Sequence, residues 1–321
     1  MPLLPSWLDG ANDPDGPFPL DNLPCGVFSE GGGRPRCGVA IGDRILDVAA
    51  AEEEGLLRLG PALLLARPRW NPLMAAGPEA WARLRDRLTA LLADGARDRA
   101  RTGRHLRPLA GARLHLPFRV AGFADFYAGR HHAQNVARML RGPEAGLPPA
   151  WLHMPLAYGG RGASVVVSGT PVRRPWGQVR PKGSDAPLLA PSRRLDFELE
   201  LGAVVGLPST PGRPVTVEEA DGMIFGHVLL NDWSARDIQG WESEPLGPFQ
   251  GKATATTISP WIVTAAALRP FRVPAPAREV PVLPYLEEPF PTGLAVALEA
   301  ALAPAGAGET VVTRTDARAL Y

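Results

Sequence analysis

The sequence predicts a mostly β fold with some helix, arranged in two domains. Short segments rich in Val, Ile and Leu are separated by Pro- and Gly-rich connections, as is typical of strands joined by turns. Strand and helix patterns do not alternate regularly, which disfavours a doubly wound parallel sheet. A length of 321 residues is sufficient for two domains with a sizeable core.

The first part of the chain combines short strands with one helix. Strands are predicted at Gly26–Phe28, Cys37–Gly42 and Arg44–Val48, separated by Gly-rich turns. The segment Gly77–Arg97 carries apolar residues at helical spacing, with Arg and Asp between them. This pattern predicts an amphipathic helix whose apolar stripe packs in the core.

The second part is predicted to be rich in β structure. Strands are predicted at Ser164–Gly169, Leu195–Val205 and Met223–Leu230, joined by Pro- and Gly-rich connections. Chemically unusual residues become much denser from residue 117 onward, so we place the domain boundary there. The predicted domains are 1–116 and 117–321.

Composition and charge exclude several functional classes. The net charge is +1 and no basic block is present, so nucleic acid is not an expected partner. No apolar span approaches membrane length, and the N-terminus lacks the basic and apolar regions of a signal peptide. Cys25 and Cys37 are too few for a disulfide framework and lack metal-ligand spacing. We therefore expect a cytoplasmic globular protein.

Leu195–Leu201 is the most informative segment, because charged and apolar residues alternate along it. In a strand, side chains two apart share a face, so Asp196, Glu198 and Glu200 would project together. Carboxylates this close repel each other unless a cation lies between them. Oxygen donors without a nearby cysteine favour calcium or magnesium, with manganese possible, over zinc. The alternative is a half-exposed strand with a solvated acidic face.

Asp125 and His132 belong to a segment that is predicted to be a helix opening at or near Asp125. Seven residues correspond to about two turns, so His132 would return to the same helix face. A histidine near a metal-bound carboxylate is a credible general base, because its unperturbed pKa is near neutrality. The alternatives are a plain helix N-cap for Asp125 and a surface or packed histidine for His132.

Asp232 lies between a predicted strand and a predicted helix. It is a candidate metal ligand at the strand end, with Arg236 and Gln239 three residues apart on one helical face. An arginine and an amide on one face suit a developing oxyanion. The alternative is that Asp232 caps the helix and that the helix face is simply exposed.

Lys252 is distinctive because lysine is rare in this chain. Of 34 basic residues, only Lys182 and Lys252 are lysine. Where arginine is the usual cation, a lysine in a dense motif indicates a need for a compact ammonium group. For Lys182, chance is a sufficient explanation.

These motifs together resemble those of the fumarylacetoacetase family, hydrolases at the end of tyrosine and phenylalanine breakdown. The matching segments are Asp125–Tyr127, Arg130–Ala133, Trp151–Pro155, Ser164–Pro171, Asp196–Glu200, Asn231–Gln239 and Pro245–Lys252. The last two are the most specific. The likeness runs from about Leu23 to the last residue.

The resemblance implies a fold and a set of ion ligands. The family has a small SH3-like N-terminal domain followed by a β-rich catalytic domain. A catalytic Ca²⁺ and/or Mg²⁺ is implied at Asp125, Glu198, Glu200 and Asp232. Lys252 and Thr256 match positions near a second, structural ion. The family forms homodimers, which we expect of the complete protein.

The resemblance also implies a reaction, the hydrolysis of 4-fumarylacetoacetate to fumarate and acetoacetate. His132 is implied as the base that activates water. Negative charge is implied to be stabilised by Arg236, Gln239 and Lys252. Substrate contacts are implied at Tyr127, Arg141, Tyr158 and Gln239.

Two departures from the family pattern motivate alternative hypotheses. Ser243 stands where the family has a tyrosine that contacts substrate, which favours a related β-diketone or acylpyruvate hydrolase. The chain stops at Tyr321, before a Gly-Thr-Ile-Ser-Gly stretch and a glutamate that pairs with the catalytic histidine in the family. Thr315–Tyr321 is predicted as the start of a capped helix that ends early. A C-terminally truncated chain, or an inactive metal-binding fragment, is therefore expected.

Overall fold

The structure is a computed structural model that describes residues 2–320. Its α-helices are α1 (Val48–Glu53), α2 (Asn71–Ala75), α3 (Pro78–Leu92), α4 (Arg99–Gly103), α5 (Arg130–Arg141), α6 (Val217–Met223), α7 (Arg236–Glu242) and α8 (Ala265–Leu268). Within the described range, none of the helices is long and apolar enough to cross a membrane.

The strands outnumber the helices and are mostly short. They are β1 (Cys25–Ser29), β2 (Arg36–Ile41), β3 (Arg44–Asp47), β4 (Leu106–Pro108), β5 (Arg113–His115), β6 (Ala124–Phe126), β7 (Ala157–Gly159), β8 (Val165–Val167), β9 (Trp176–Val179), β10 (Leu188–Pro191), β11 (Leu195–Asp196), β12 (Leu199–Val205), β13 (Ile224–Asp232), β14 (Ser234–Ala235), β15 (Thr256–Ile258), β16 (Val263–Thr264), β17 (Arg272–Pro274), β18 (Thr292–Leu294), β19 (Ala297–Leu302) and β20 (Thr310–Asp316). The predicted fold class, mostly β with some helix, is confirmed.

The chain divides into two compact units that are not continuous in sequence. The first comprises residues up to Arg119, Gly202–Val228 and Ile258–Pro270. The second comprises Val120–Leu201, Leu229–Thr257 and the chain from Phe271 onward.

An antiparallel five-stranded sheet forms the core of the first unit, in the order β4-β3-β2-β1-β5. Helix α3 begins after Gly77, whose positive φ of 85° suits glycine, and has Pro78 in its first turn. The leucines of its apolar stripe, among them Leu84, Leu88 and Leu91, are buried as the helical spacing predicts. Trp70 is fully buried, and its indole N–H donates to the carbonyl of Gly26 at 2.8 Å.

The second unit is built largely from two-stranded pairs: β6-β7, β9-β10, β11-β14, β17-β18 and β19-β20. Apart from these pairs, and without being assigned to the second unit, a sheet of the chain has the order β12-β13-β15-β8, with β16 on β13. These strands end at the residues that carry the candidate chemistry. Asp232 is the last residue of β13, and Thr256 is the first residue of β15.

Three local predictions were wrong because long-range pairing decided the structure. Asp125 lies in strand β6, opposite Tyr158 of β7, and α5 begins only at Arg130. The predicted single strand at Leu195–Leu201 is interrupted between β11 and β12. The predicted terminal helix is instead the end of β20, paired with β19, followed by one 3₁₀ turn over Ala317–Ala319. In each case local propensity was overridden by tertiary context.

Candidate active site

Three carboxylates from three strands come together in the second unit. Asp125 of β6, Glu200 of β12 and Asp232 of β13 each offer an oxygen, and these atoms all lie within 4.8 Å of one another. We refer to these three residues as the acidic cluster. Glu198 was predicted as a fourth ligand but is not a member of this cluster.

Asp125 is held by a hydrogen bond across a strand pair. Because β6 and β7 are antiparallel with Asp125 opposite Tyr158, the two side chains meet, and the tyrosine hydroxyl donates to Oδ2 of Asp125 at 2.6 Å. Burial, together with this bond to a carboxylate, raises the pKa of Tyr158. Tyr158 therefore acts as a hydrogen-bond donor at neutral pH.

Asp232 is fully buried at the end of β13, and cations compensate its charge. The ammonium of Lys252 donates to its Oδ2 at 2.6 Å, and a guanidinium nitrogen of Arg161 donates to its Oδ1 at 2.9 Å. Its backbone N–H donates to the carbonyl of Glu198 at 3.2 Å. Such pairing is what permits a charged group to be buried. The alternative that Asp232 caps α7 was wrong, because Ala235 occupies the N-cap position.

Glu198 is surrounded by basic groups. Lys252 Nζ donates to Oε2, Arg236 donates to Oε1 at 2.8 Å, and His132 Nε2 lies 3.4 Å from Oε1. Burial opposes ionisation of this carboxyl, but the nearby positive groups outweigh it and lower its pKa to about 2. Glu198 is therefore an anion that organises the surrounding cations.

Glu200 has the opposite environment. Burial and the charges of Glu198, Asp125 and Asp232 raise its pKa to about 9. No residue within 2–320 donates a hydrogen bond to the Glu200 carboxylate, whereas the carboxylates of Asp125, Asp232 and Glu198 each accept at least one. Oxygen donors that close together, with one left uncompensated, fit a hard divalent cation. The acidic cluster therefore has a donor set that fits a divalent metal ion.

His132 lies in the first turns of α5, with its side chain 41% exposed. Its ring packs edge-on against Tyr127, with the ring centroids 5.6 Å apart. Burial, with the charges of Arg236 and Lys252, lowers the pKa of His132 although Glu198 acts in the opposite direction. The imidazole is therefore neutral at pH 7, which is the state that a general base requires.

Arg236 and Gln239 lie one turn apart at the start of α7, as their spacing predicts. The guanidinium of Arg236 donates to Asp196 at 2.9 Å and to the amide oxygen of Gln239 at 3.2 Å, besides its contact with Glu198. Because its oxygen accepts from Arg236, Gln239 keeps its own N–H groups available as donors. Both side chains are largely buried, so the donors are held in fixed positions.

The remaining residues that the sequence analysis singled out take no part in the ion pairs described above. Thr256 is fully buried, and its hydroxyl has no hydrogen-bond partner within the described part of the chain. Arg141 is exposed in the last turn of α5, with no ion pair to a described residue. Ser243 is the C-cap residue of α7, and its hydroxyl donates to the carbonyl of Gln239. The hydroxyl of Tyr127 donates to the carbonyl of Ala133 at 3.1 Å.

Arg161 is a site residue that the sequence analysis missed. It donates to both Asp125 and Asp232, and its side chain is only 5% exposed. The surrounding Gly160-Arg161-Gly162 segment was the available signal, because a cation between glycines indicates an unusual turn. Arginine is the usual cation in this chain, so the residue type itself was not distinctive.

Two family models match the chain. The model described as Fumarylacetoacetase N-terminal matches residues 21–117, and the model described as Fumarylacetoacetate (FAA) hydrolase C-terminal matches residues 122–312. A crystal structure of Cg1458 with inhibitor is similar in fold, with a TM-score of 0.51 and 13% identity, over 93% of this chain and 78% of that chain.

Curated relatives are considerably more similar in sequence. Fumarylacetoacetase from Arabidopsis thaliana is 43% identical across 100% of this chain and 78% of its own length. The Bos taurus fumarylacetoacetase is 47% identical across 92% of this chain and 72% of its own length. This chain thus spans about three quarters of the length of these relatives, and it belongs to the fumarylacetoacetase family.

Proposed function

We propose that the protein hydrolyses the carbon–carbon bond of 4-fumarylacetoacetate to give fumarate and acetoacetate, in a reaction that requires a divalent metal ion. Membership of the fumarylacetoacetase family supports this reaction class. The observation that carries the proposal is the convergence of His132, Arg236 and Lys252 on Glu198, in the same unit as the acidic cluster.

The acidic cluster would hold the catalytic ion, and Glu198 is proposed as a fourth ligand. When bound, a divalent ion supplies Lewis-acid polarisation of the diketone oxygens. Ca²⁺ or Mg²⁺ is proposed because both prefer carboxylate oxygens. The buried, unpartnered hydroxyl of Thr256 supports a second, structural ion near Lys252.

His132 is proposed as the general base. Water attacks the carbonyl carbon next to the bond that breaks, forming a carbon–oxygen bond as its proton passes to the neutral imidazole. The lowered pKa of His132, which results from burial and from nearby positive charges, keeps the imidazole unprotonated before attack. Glu198, 3.4 Å away, stabilises the imidazolium that forms.

Three donors are proposed to stabilise the negative charge that develops. As the carbon–carbon bond breaks, its electron pair leaves with the acetoacetate portion as an enolate. Arg236, Gln239 and Lys252 are fixed, buried donors suited to this charge. The proton held by His132 then returns to the departing carbon, so that fumarate and acetoacetate are the products.

Substrate binding is proposed to involve Tyr127, Tyr158 and Arg141. Ser243 favours a second candidate function, hydrolysis of a related β-diketone or acylpyruvate. Its short side chain bonds to the end of its own helix and contributes no aromatic ring. A panel of acylpyruvates compared with fumarylacetoacetate distinguishes the two functions by the ratio of kcat/KM values.

A cytoplasmic location and a homodimeric assembly are also proposed. Cys25 and Cys37 are both buried free thiols, which suits a reducing compartment. Sedimentation analysis of the purified protein tests the dimer, and a monomer at micromolar concentration would contradict it.

The direct test of function is to add fumarylacetoacetate and Ca²⁺ or Mg²⁺ to the purified protein and to follow loss of the diketone absorbance. We expect turnover that stops on chelation and that is strongly reduced in His132→Ala. A wild-type protein that binds metal yet leaves the diketone intact would refute the proposed function.

A further inference from the structure

Arg161 has an unusual backbone conformation. It lies just after β7, with φ of 54° and ψ of 16°, in the left-handed region. Only Leu23 shares a positive φ among the other non-glycine residues within 2–320. A residue with a Cβ adopts this conformation at a cost in free energy, and such outliers persist where the surrounding contacts determine them. Here the conformation accompanies an almost completely buried guanidinium.

The guanidinium of Arg161 bridges two members of the acidic cluster. One terminal nitrogen donates to Asp125, and the other donates to both oxygens of Asp232, at 2.9 and 3.1 Å. The latter nitrogen also lies 3.3 Å from the carbonyl of Lys252. The two terminal nitrogens are therefore directed at two carboxylates that come from different strands.

Two aromatic rings contribute to the position of this guanidinium. Its central carbon lies 4.8 Å from the ring centroid of Phe123 and 5.3 Å from that of Tyr158. Such cation–π contacts stabilise a cation that has been removed from water. Tyr158 also donates to the same Asp125 oxygen that accepts from Arg161, so the two donors fix one orientation of that carboxylate.

We propose that Arg161 is a positioning residue for the divalent ion site. This role rests on the metal dependence of the proposed function. It holds Asp125 and Asp232 at a fixed separation, with Oδ1 of Asp125 left available to an ion. Glu200 receives no donor from the described residues, so the site retains an uncompensated oxygen ligand for the ion. A lysine could not perform this role equally, because one ammonium lacks the planar fork that reaches two carboxylates.

Mn²⁺ affinity of the full chain, measured by titration with electron paramagnetic resonance, tests this role. We expect Arg161→Met to raise the Kd about 10- to 100-fold, as is typical when a residue that orients metal ligands is lost. Arg161→Lys should recover only part of the affinity and should alter the spectrum of the bound ion. Arg85→Met is the matched control, because Arg85 is partly buried but donates to the carbonyls of Asp21 and Asn22. Its Kd should equal that of the wild type.

An unchanged or lower Kd in Arg161→Met would overturn the proposal; a lower value would mean that Arg161 competes with the ion. If Arg161→Met does not fold, as judged by circular dichroism, Arg161→Lys decides, and a wild-type Kd and spectrum would overturn the proposal. A wild-type protein that binds no Mn²⁺ would overturn the metal dependence of the proposed function as well. Normal wild-type binding with an unaffected variant would overturn the role of Arg161 alone.

Discussion

Two glutamates, one in each unit, show how differently a fold can treat a carboxylate: Glu52 is buried and Glu200 is half-buried. Glu52, 4% exposed at the end of α1, accepts hydrogen bonds from the backbone N–H groups of Leu64 and Leu65, at 3.0 and 2.8 Å. Glu200 has no donor among the described residues and has three acidic neighbours. The protein donates hydrogen bonds to both carboxylate oxygens of Glu52, whereas Glu200 receives none and keeps a proton near neutral pH that a bound cation would displace. The difference separates a structural carboxylate from a binding one.

Removing a carboxylate from the acidic cluster gives the largest expected effect. Asp232→Asn keeps the side-chain shape but removes a charge, so metal binding measured by calorimetry should be lost. Glu52→Gln should bind metal with wild-type affinity, because Glu52 lies outside the cluster. Equal metal affinity in Asp232→Asn and the wild type would show that the proposed ligand set is wrong.

Replacing the proposed base separates chemistry from metal binding. His132→Ala should lower kcat by about 10²- to 10⁴-fold, the usual contribution of general base catalysis, without changing metal affinity. Rates and calorimetric titrations of the same preparation provide both values. Full activity in this variant would assign proton transfer to another group.

Replacing each of these glutamates by glutamine should change the free energy of unfolding of metal-free protein in opposite directions. Glu52→Gln places an amide N–H₂ group near two backbone N–H donors and should lower the free energy of unfolding by about 1–3 kcal/mol. Near neutral pH, Glu200→Gln removes the free-energy cost of protonating this carboxyl on folding, because its pKa rises from 4.5 to about 9, and should raise the free energy of unfolding. Chemical denaturation in the presence of a chelator provides both values. A loss of stability in Glu200→Gln would contradict the contrast between the two residues.

The stability of the metal-free protein should depend on pH through Glu200. Its pKa rises from 4.5 to about 9 on folding, so the folded state holds a proton that the unfolded state has released between these values. Stability contributed by this group is present below about pH 4.5 and is lost as pH rises toward 9. Glu200→Gln should lack this component, which denaturation at several pH values would reveal. An unchanged pH profile in the variant would exclude Glu200 as its source.

Much of the site could be predicted from the sequence because its residue types are unusual in their contexts. The rarity of lysine drew attention to Lys252, and the spacing of Arg236 and Gln239 predicted their shared helix face, which the structure confirms. Burial of the α3 stripe was predicted in the same way from periodicity. Such signals are local, and each can be read within a few residues.

The features that could not be predicted depend on contacts between distant segments. Pairing with β7 places Asp125 in a strand, although aspartate commonly begins a helix. The charge on Glu198 is compensated by Arg236 and Lys252, which come from two other segments, so its separation from the acidic cluster is not visible in the Glu-x-Glu pattern. Arg161 depends on a left-handed turn that a single arginine does not indicate.

Proton release on metal binding tests most directly whether Glu200 loses a proton to become a ligand of a divalent cation. Calorimetric titration at pH 7.5, in buffers of different ionisation enthalpy, counts the protons displaced by each divalent ion. Because the carboxyl of Glu200 has a pKa of about 9 without metal and must ionise to bind it, we expect about one proton released per ion. Glu200→Gln should release none and bind weakly. Tight binding by the wild type with no proton released would contradict this account of the acidic cluster.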